Sequence, residues 1–360
     1  AQGTPTADQF PGLGSTYHIE HADFDGDGDL DAATAHNGAV RLWRNIGAGS
    51  MQLLQVLDTD LDRVQKLGFA DFNLDGKLDL VAAAVGSSNH LWLADSAGAY
   101  SNPSLSLLPG VQGISLAAGD IDNDGDVDLV LGTVRTHSDR VLLNGGLITE
   151  LASGGDGDLV WAGFDAELSF FNDRQTNHIV LGDMDCDGDL DMVMAQGPGE
   201  PSTVWRNEWD SGALDFTELQ NLPISTDQTA TVQLGDVDRD GHVDILFGHR
   251  DGATVHFGSS LLADGEFTLT YVFEQGSVTH TELQDVNHDN ILDVIFASTA
   301  AASIHLHLGS ALGFEQTPDQ ILPANGVRSM GFGDRDGDGD ADLYLGQFLL
   351  DAANALFINR

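Results

Sequence analysis

The chain has 360 residues, 57 acidic against 14 basic, and a formal net charge of −43, with Lys66 and Lys77 its only lysines. That balance excludes nucleic acid and anionic membrane surfaces as direct partners, because holding phosphate takes clustered Lys and Arg. A single cysteine, Cys186, rules out an intrachain disulfide, and no apolar run approaches the ~18 residues that a spanning helix needs.

Taken in chain order, the first elements set a pattern. Residues 18–22 alternate in polarity. The nine-residue loop 23–31 follows, reading D-x-D-x-D-G-x-x-D, and then an apolar or small-residue strand, a turn, a third strand at 40–45 and a fourth at 52–57. The unit recurs, with loops at 23–31, 71–79, 120–128, 183–191, 236–244, 285–293 and 334–342 whose leading aspartates stand 48, 49, 63, 53, 49 and 49 residues apart. A fixed period of this size marks a repeat architecture. Four short strands per unit, with turn signals between and no helical periodicity, is the pattern of a propeller blade. Residues 90–93, 141–144 and 204–207 supply further third strands, and residues 267–272 and 314–321 further fourth strands.

The loop chemistry points to a hard cation. The side-chain ligands are Asp23, Asp25, Asp27 and Asp31; Asp71, Asn73, Asp75 and Asp79; Asp120, Asp122, Asp124 and Asp128; and Asp183, Asp185, Asp187 and Asp191. The later copies give Asp236, Asp238, Asp240 and Asp244; Asp285, Asn287, Asp289 and Asp293; and Asp334, Asp336, Asp338 and Asp342. Position 6 is glycine in every copy but one, where Asn290 stands, and both residues tolerate a left-handed turn. The turn lets the position 7 carbonyl point inward, from Asp29, Lys77, Asp126, Asp189, His242, Ile291 and Asp340. All-oxygen donors without His or Cys exclude zinc, copper and iron, and several carboxylates from one flexible loop suit Ca²⁺ better than Mg²⁺. About seven calcium ions are expected. The loops are not EF-hands, because position 12 is Thr34 in the first copy and Ala82 in the second rather than Glu.

The insertion that lengthens the third interval lies within residues 148–177 and contains Gly/Asp-rich residues 154–158, which read as an ordinary turn rather than an eighth loop. The last repeat stops after its third strand at residues 355–359, and the N-terminal residues 6–10 are predicted to complete it and tie the ends together. The start at Ala1 rather than Met is expected of a chain either processed, removal of an export leader being one route, or cut from a longer precursor.

These loops, at this period, resemble the FG-GAP/VCBS repeats of integrin α-subunit propellers and many bacterial extracellular proteins, over essentially the whole chain. The resemblance implies one seven-bladed β-propeller of four-stranded antiparallel blades across residues 1–360, with calcium in the loop between the first two strands of each blade. It also implies that ligands meet the opposite face, where Tyr17, Asp62, Arg63, Arg135, His137, Arg140, Phe171, Asp173, Arg174, His249 and Arg250 would lie.

Strand alternation sorts the residues before each leading aspartate. The fourth before it is Ile19, Leu67, Leu116, Ile179, Val232, Thr281 or Met330, expected between blades. The fifth and third before it face the axis, so His18, His178, His280, Glu20 and Glu282 ring a channel that is either a polar water-filled passage or a metal or small-ligand site. Trp43, Trp92 and Trp205 occupy matching places in third strands and read as packing. The chain carries no H-E-x-x-H, G-x-S-x-G or phosphate-loop motif. The expectation is an exported, monomeric, calcium-stabilised module for binding or adhesion, with a protein or glycan as its ligand. A polysaccharide lyase or hydrolase, or its non-catalytic appendage, is the alternative.

Overall fold

The computed structural model describes residues 15–47, 50–58, 63–86, 88–95, 98–100, 105–150, 158–170, 174–208, 214–221, 228–258, 267–274, 276–324, 326–334, 338–347 and 355–357. Among these residues every regular element is a strand. The first sheet runs β1 (His18–Ala22), β2 (Asp31–His36), β3 (Ala39–Asn45) and β4 (Met51–Asp58), each antiparallel to the one before. The second repeats this with β5 (Arg63–Ala70), β6 (Asp79–Val85), β7 (Asn89–Trp92) and β8 (Leu105–Leu107). In the third, β9 (Gly113–Gly119), β10 (Asp128–Thr133) and β11 (Asp139–Asn144) are followed by a separate hairpin, β12 (Leu147–Glu150) and β13 (Asp158–Trp161), before the outer strand β14 (Phe164–Phe170). This hairpin is the extra length read from the third interval. Residues 151–157 lie outside the described residues.

The next three sheets are β15 (Thr176–Gly182), β16 (Asp191–Gln196), β17 (Thr203–Asn207) and β18 (Phe216–Asn221); β19 (Thr229–Gly235), β20 (Asp244–His249), β21 (Gly252–Phe257) and β22 (Thr268–Phe273); and β23 (Val278–Gln284), β24 (Asp293–Ser298), β25 (Ser303–His307) and β26 (Gln320–Pro323). The sixth outer strand therefore starts later than the expected 314–321, because Phe314 turns into the core beside Phe273 instead of joining the ladder.

The expectation of seven four-stranded blades is corrected by the last repeat. Six sheets have four strands, whereas β27 (Val327–Gly333), β28 (Asp342–Gln347) and β29 (Ala355–Phe357) form a sheet of three. With only three residues, β29 offers a short ladder for any outer strand. Residues 6–10, the strand assigned to that place, lie outside the described residues. Among the described residues the fold is a β-propeller of six four-stranded blades together with this three-stranded sheet. The first sheet packs directly on the last. Ile19 N–H donates to Ser329 Oγ at 3.2 Å, Thr16 N–H donates to Gln347 O at 3.0 Å, and the His21 and Tyr344 rings lie 4.1 Å apart.

The second strand of each sheet explains the sequence best. It lies between two strands of its own sheet and between neighbouring sheets on both faces, so β2, β10, β16, β20 and β24 are buried at every residue. Such strands read as continuous apolar or small runs rather than alternation. Each seam between sheets holds its own apolar layer. Val40, Leu42, Leu67 and Trp92 fill the first seam, and Val130, Ile179, Met194 and Trp205 the third. Trp43 and Trp92 are buried and Trp205 nearly so, the packing role expected for all three. Space is tight near the axis. A Cβ on Gly248 would come within 2.7 Å of Thr231, Thr281 and Val278, so only glycine fits there.

Candidate functional site

The nine-residue loops connect the first and second strands, and their geometry repeats closely. The leading aspartate turns its carboxylate back over its own loop. One oxygen accepts the position 6 N–H at 2.7–3.1 Å in all seven copies. The other accepts the position 5 N–H at 3.0–3.2 Å. The position 5 side chain accepts the position 7 N–H at 2.8–3.1 Å. The wrap needs left-handed backbone twice. Position 6 was legible, with φ of 94° at Gly28 and 63° at Asn290. Position 4 was not. Leu74, Asn123, Cys186, Arg239 and His288 all adopt φ between 55° and 64°, a conformation that costs an ordinary side chain about 1 kcal/mol.

The ninth residue does more than was read from the sequence. Asp31, Asp79, Asp128, Asp191, Asp244, Asp293 and Asp342 are fully buried. In five of the loops one oxygen accepts the position 2 N–H, for example Met184 to Asp191 at 2.7 Å. The other accepts an N–H at the end of the third strand, for example Asn207 to Asp191 at 2.8 Å. This carboxylate therefore pins its loop to its own blade. Position 2 plugs the seam with Phe24, Phe72, Ile121, Met184 or Val237. Asn144 and Asn207 reach back from their third strands to the loop of the preceding blade, donating to Phe72 O and Ile121 O at 2.8 Å each.

Electrostatics strain these cages. Burial, only partly offset by the donated N–H groups, pushes the carboxyls of Asp31, Asp79, Asp128 and Asp244 up to about 6 and that of Asp191 to about 7. The neighbouring aspartates push the same way. Asp126, at position 7, is raised to about 7 by burial and by Asp124. Carboxylate oxygens of Asp23, Asp25 and Asp27, of Asp120, Asp122 and Asp128, of Asp183, Asp185 and Asp191, and of Asp236, Asp238 and Asp244 converge within 4.8 Å. Asp122 Oδ1 and Asp185 Oδ1 are buried and accept no hydrogen bond. Unpartnered inward oxygens in an all-oxygen cage fit a hard divalent cation. Asp336 lies outside the described residues. Arginines reach two of the loops: Arg44 enters the first, with Nε 2.6 Å from Asp25 Oδ2 and a terminal nitrogen 3.1 Å from Asp27 Oδ2, and Arg206 approaches Asp185 Oδ2 of the fourth at 3.8 Å.

At the opposite end of the first strands lies a cavity of about 470 Å³. His18, His178 and His280 line it as the alternation predicts, while Glu20 and Glu282 sit deeper along the axis. The fourth-position residues from Ile19 to Met330 are buried between sheets, also as predicted. The fifth-position side chains carry a structural duty as well. Leu67 N–H donates to His18 Nδ1 at 3.3 Å and Ile179 N–H to Ser115 Oγ at 2.9 Å, each capping an open edge of the next inner strand. His178 Nδ1 faces the Val232 peptide in the same way. His280 Nε2 pairs with Glu282 Oε1 at 2.9 Å.

The residue that the sequence reading passed over is Lys66, whose Nζ stands 3.0 Å from His178 Nε2 although 112 residues separate them. The only available signal was its place in the aligned fifth position. Of the residues assigned to this face, His249 is buried rather than exposed, Arg135 donates to Pro198 O at 2.7 Å, and Arg140 pairs with Glu167 at 2.7 Å. Asp62, Phe171 and Asp173 lie outside the described residues.

An all-β propeller whose first turn in every repeat is an aspartate cage defines a class of repeat protein. The chain belongs to the FG-GAP-like repeat family, whose pattern matches residues 23–82, 71–131, 183–247 and 285–345. Among solved structures it resembles BBS1N in complex with ARL6DN, in crystals soaked with mercury (TM-score 0.59) and with lead (TM-score 0.61). Each match has 15% identity and covers 100% of this chain and 96% of that one, a likeness of fold alone. No curated protein matches.

Proposed function

We propose that this protein is a calcium-stabilised propeller that works as a non-catalytic binding module outside the cell, with a protein or carbohydrate as its ligand. The observation that carries the reading is the recurrence of one loop geometry in all seven repeats, with buried, unpartnered oxygens at Asp122 and Asp185. Positions 1, 3, 5 and 9 and the position 7 carbonyl would hold the ion. Its contribution is to neutralise carboxylates that burial otherwise pushes toward protonation. Because the loops at 71–79 and 120–128 are pinned to their own blades by the ninth residue and tied to the next blade by Asn144 and Asn207, filling them also stiffens a seam. Extracellular modules with such loops work at about 0.1–1 mM calcium, which supports an exported location. The solved propeller it resembles was crystallised with a protein partner, which supports a binding role.

At free calcium tenfold above the dissociation constant each site contributes about 1.4 kcal/mol, and seven contribute on the order of 10 kcal/mol. Chelation with EDTA should therefore lower the Tm by more than about 10 °C, reversibly on adding calcium; a shift of a degree or two would overturn the structural role. A glycan and protein array alongside a polysaccharide-cleavage screen tests the module. Binding without turnover supports it, and turnover defeats it.

A further inference from the structure

The cavity at the axial mouth has a charge opposite to that of the rest of the chain. Three of its lining residues, Lys66, Arg250 and Arg328, are cationic, and none is Asp or Glu, in a protein with 57 acidic and 14 basic residues. Lys66 lies at the base, and the Arg328 guanidinium stands over the Tyr17 ring, 5.6 Å from its centroid. Amides and hydroxyls of Gln65, Gln175, Asn177 and Thr279 fill much of the remaining wall. A volume of about 470 Å³ suits a small molecule.

The imidazoles of His18 and His178 are not further cations. Burial, then the Lys66 charge, holds His18 and His178 well below the usual histidine range. They stay neutral near pH 7 and serve as hydrogen-bonding walls. Burial lowers the Lys66 pKa, while Glu20 and Glu282 raise it from deeper along the axis. The counter-charges for Lys66 thus stand on the side away from the mouth. A desolvated ammonium that shares one cavity with two guanidiniums makes that cavity a poor seat for a divalent cation and a good one for an oxyanion, which guanidinium and ammonium hold by charge-assisted hydrogen bonds.

We propose that this mouth binds a small hydroxylated oxyanion, a carboxylate or a phosphate ester, with its charged group on Lys66, Arg250 and Arg328 and its hydroxyls on the ring of amides. The proposal names a ligand class for the binding module inferred above and rests on that reading. The two ends of the propeller then divide the work, with cations bound at one and an anion at the other.

The test is titration calorimetry of the calcium-loaded protein at low ionic strength with glucuronate, glucose 6-phosphate and glucose as probes. At least one of the two anions should bind about tenfold or more tighter than glucose, and the tighter of the two identifies the oxyanion. Lys66→Met should weaken that binding about tenfold or more, and so should Arg250→Gln combined with Arg328→Gln, which alters only the rim and leaves the channel base intact. Equal binding of glucose, no binding of either anion at about 10 mM, or binding unchanged in the rim variant with Tm preserved would overturn the proposal. If array ligands bind but glucuronate and glucose 6-phosphate do not compete with them, the pocket assignment falls while the binding module stands.

Discussion

At one end of each first strand stands the leading aspartate of a nine-residue loop; at the other, five residues earlier, stand His18, Lys66, His178 and their counterparts. The two ends belong to the same strands yet are built on different logic. Each loop is complete within one repeat, with its oxygens turned inward by its own backbone N–H groups, and the ring contains it seven times. The mouth has no such repeat, because its seven fifth-position residues are three histidines, two serines, a threonine and a lysine, and its chemistry exists only where the strands converge. A local motif copied around the ring makes a redundant structural device. Non-repeating residues gathered at the axis make one singular site.

The sharpest way to break this comparison is to separate the two duties within a loop. Asp191→Ala leaves the buried N–H groups of Met184 and Asn207 without an acceptor and should cost about 2–4 kcal/mol even in EDTA. Asp187→Ala, in the exposed part of the same loop, gives up only the solvent-exposed Asp189 N–H bond in EDTA and should matter chiefly when calcium is present. Urea unfolding with and without EDTA reads both, and equal losses in EDTA would deny the ninth residue its pinning role.

Acid should act through the buried histidines. Burial, aided by Arg41 beside His36 and by His249 beside His256, depresses both imidazoles to about 4. The unfolded chain takes up these protons near 6.5, so their stabilisation is complete above that pH and is lost as the pH falls toward 4. The loss should be about 2.5 kcal/mol per histidine, on the order of 5 kcal/mol for the pair, at pH 4.5 in saturating calcium. In His36→Gln/His256→Gln the same acid limb should be visibly flatter, and an unchanged slope would assign it elsewhere.

A smaller effect should distinguish one loop from its neighbours. Arg44 occupies part of the first cage, half-exposed and screened by solvent, so little holds it there. Arg44→Leu should tighten one calcium site by a few-fold in terbium titration and leave the others unchanged; no change in any site would show that the arginine does not compete. The smallest effect should come from Leu74, held at φ 56°. Leu74→Gly should raise stability by up to ~1 kcal/mol, and a loss of that size would mean that the leucine side chain contributes packing that its exposure does not suggest.

How much could be read in advance depended on how local the cause was. The loop carboxylates, the glycine turns and the four-strand unit were legible because each is fixed within about fifty residues by spacing and alternation. The left-handed position 4 was missed because leucine, arginine and cysteine there give no compositional hint. The last repeat ends at its third strand, as its sequence reads, and the expected count of seven four-stranded blades rested on a closing strand at residues 6–10 that lies outside the described residues. The late start of β26 escaped because Phe314 had a seam to fill.

The sequence by itself determined a strand-rich repeat with an acidic cage in each copy, since ligand spacing and the period of two act over a few residues. Only the tertiary structure decided that the first sheet packs on the last, that the ninth aspartate anchors its loop to the third strand, and that Lys66 meets His178 at the axis. Those outcomes depend on how twisted sheets pack into a ring. That packing brings together residues a hundred or more positions apart, a distance over which sequence spacing carries no geometric information.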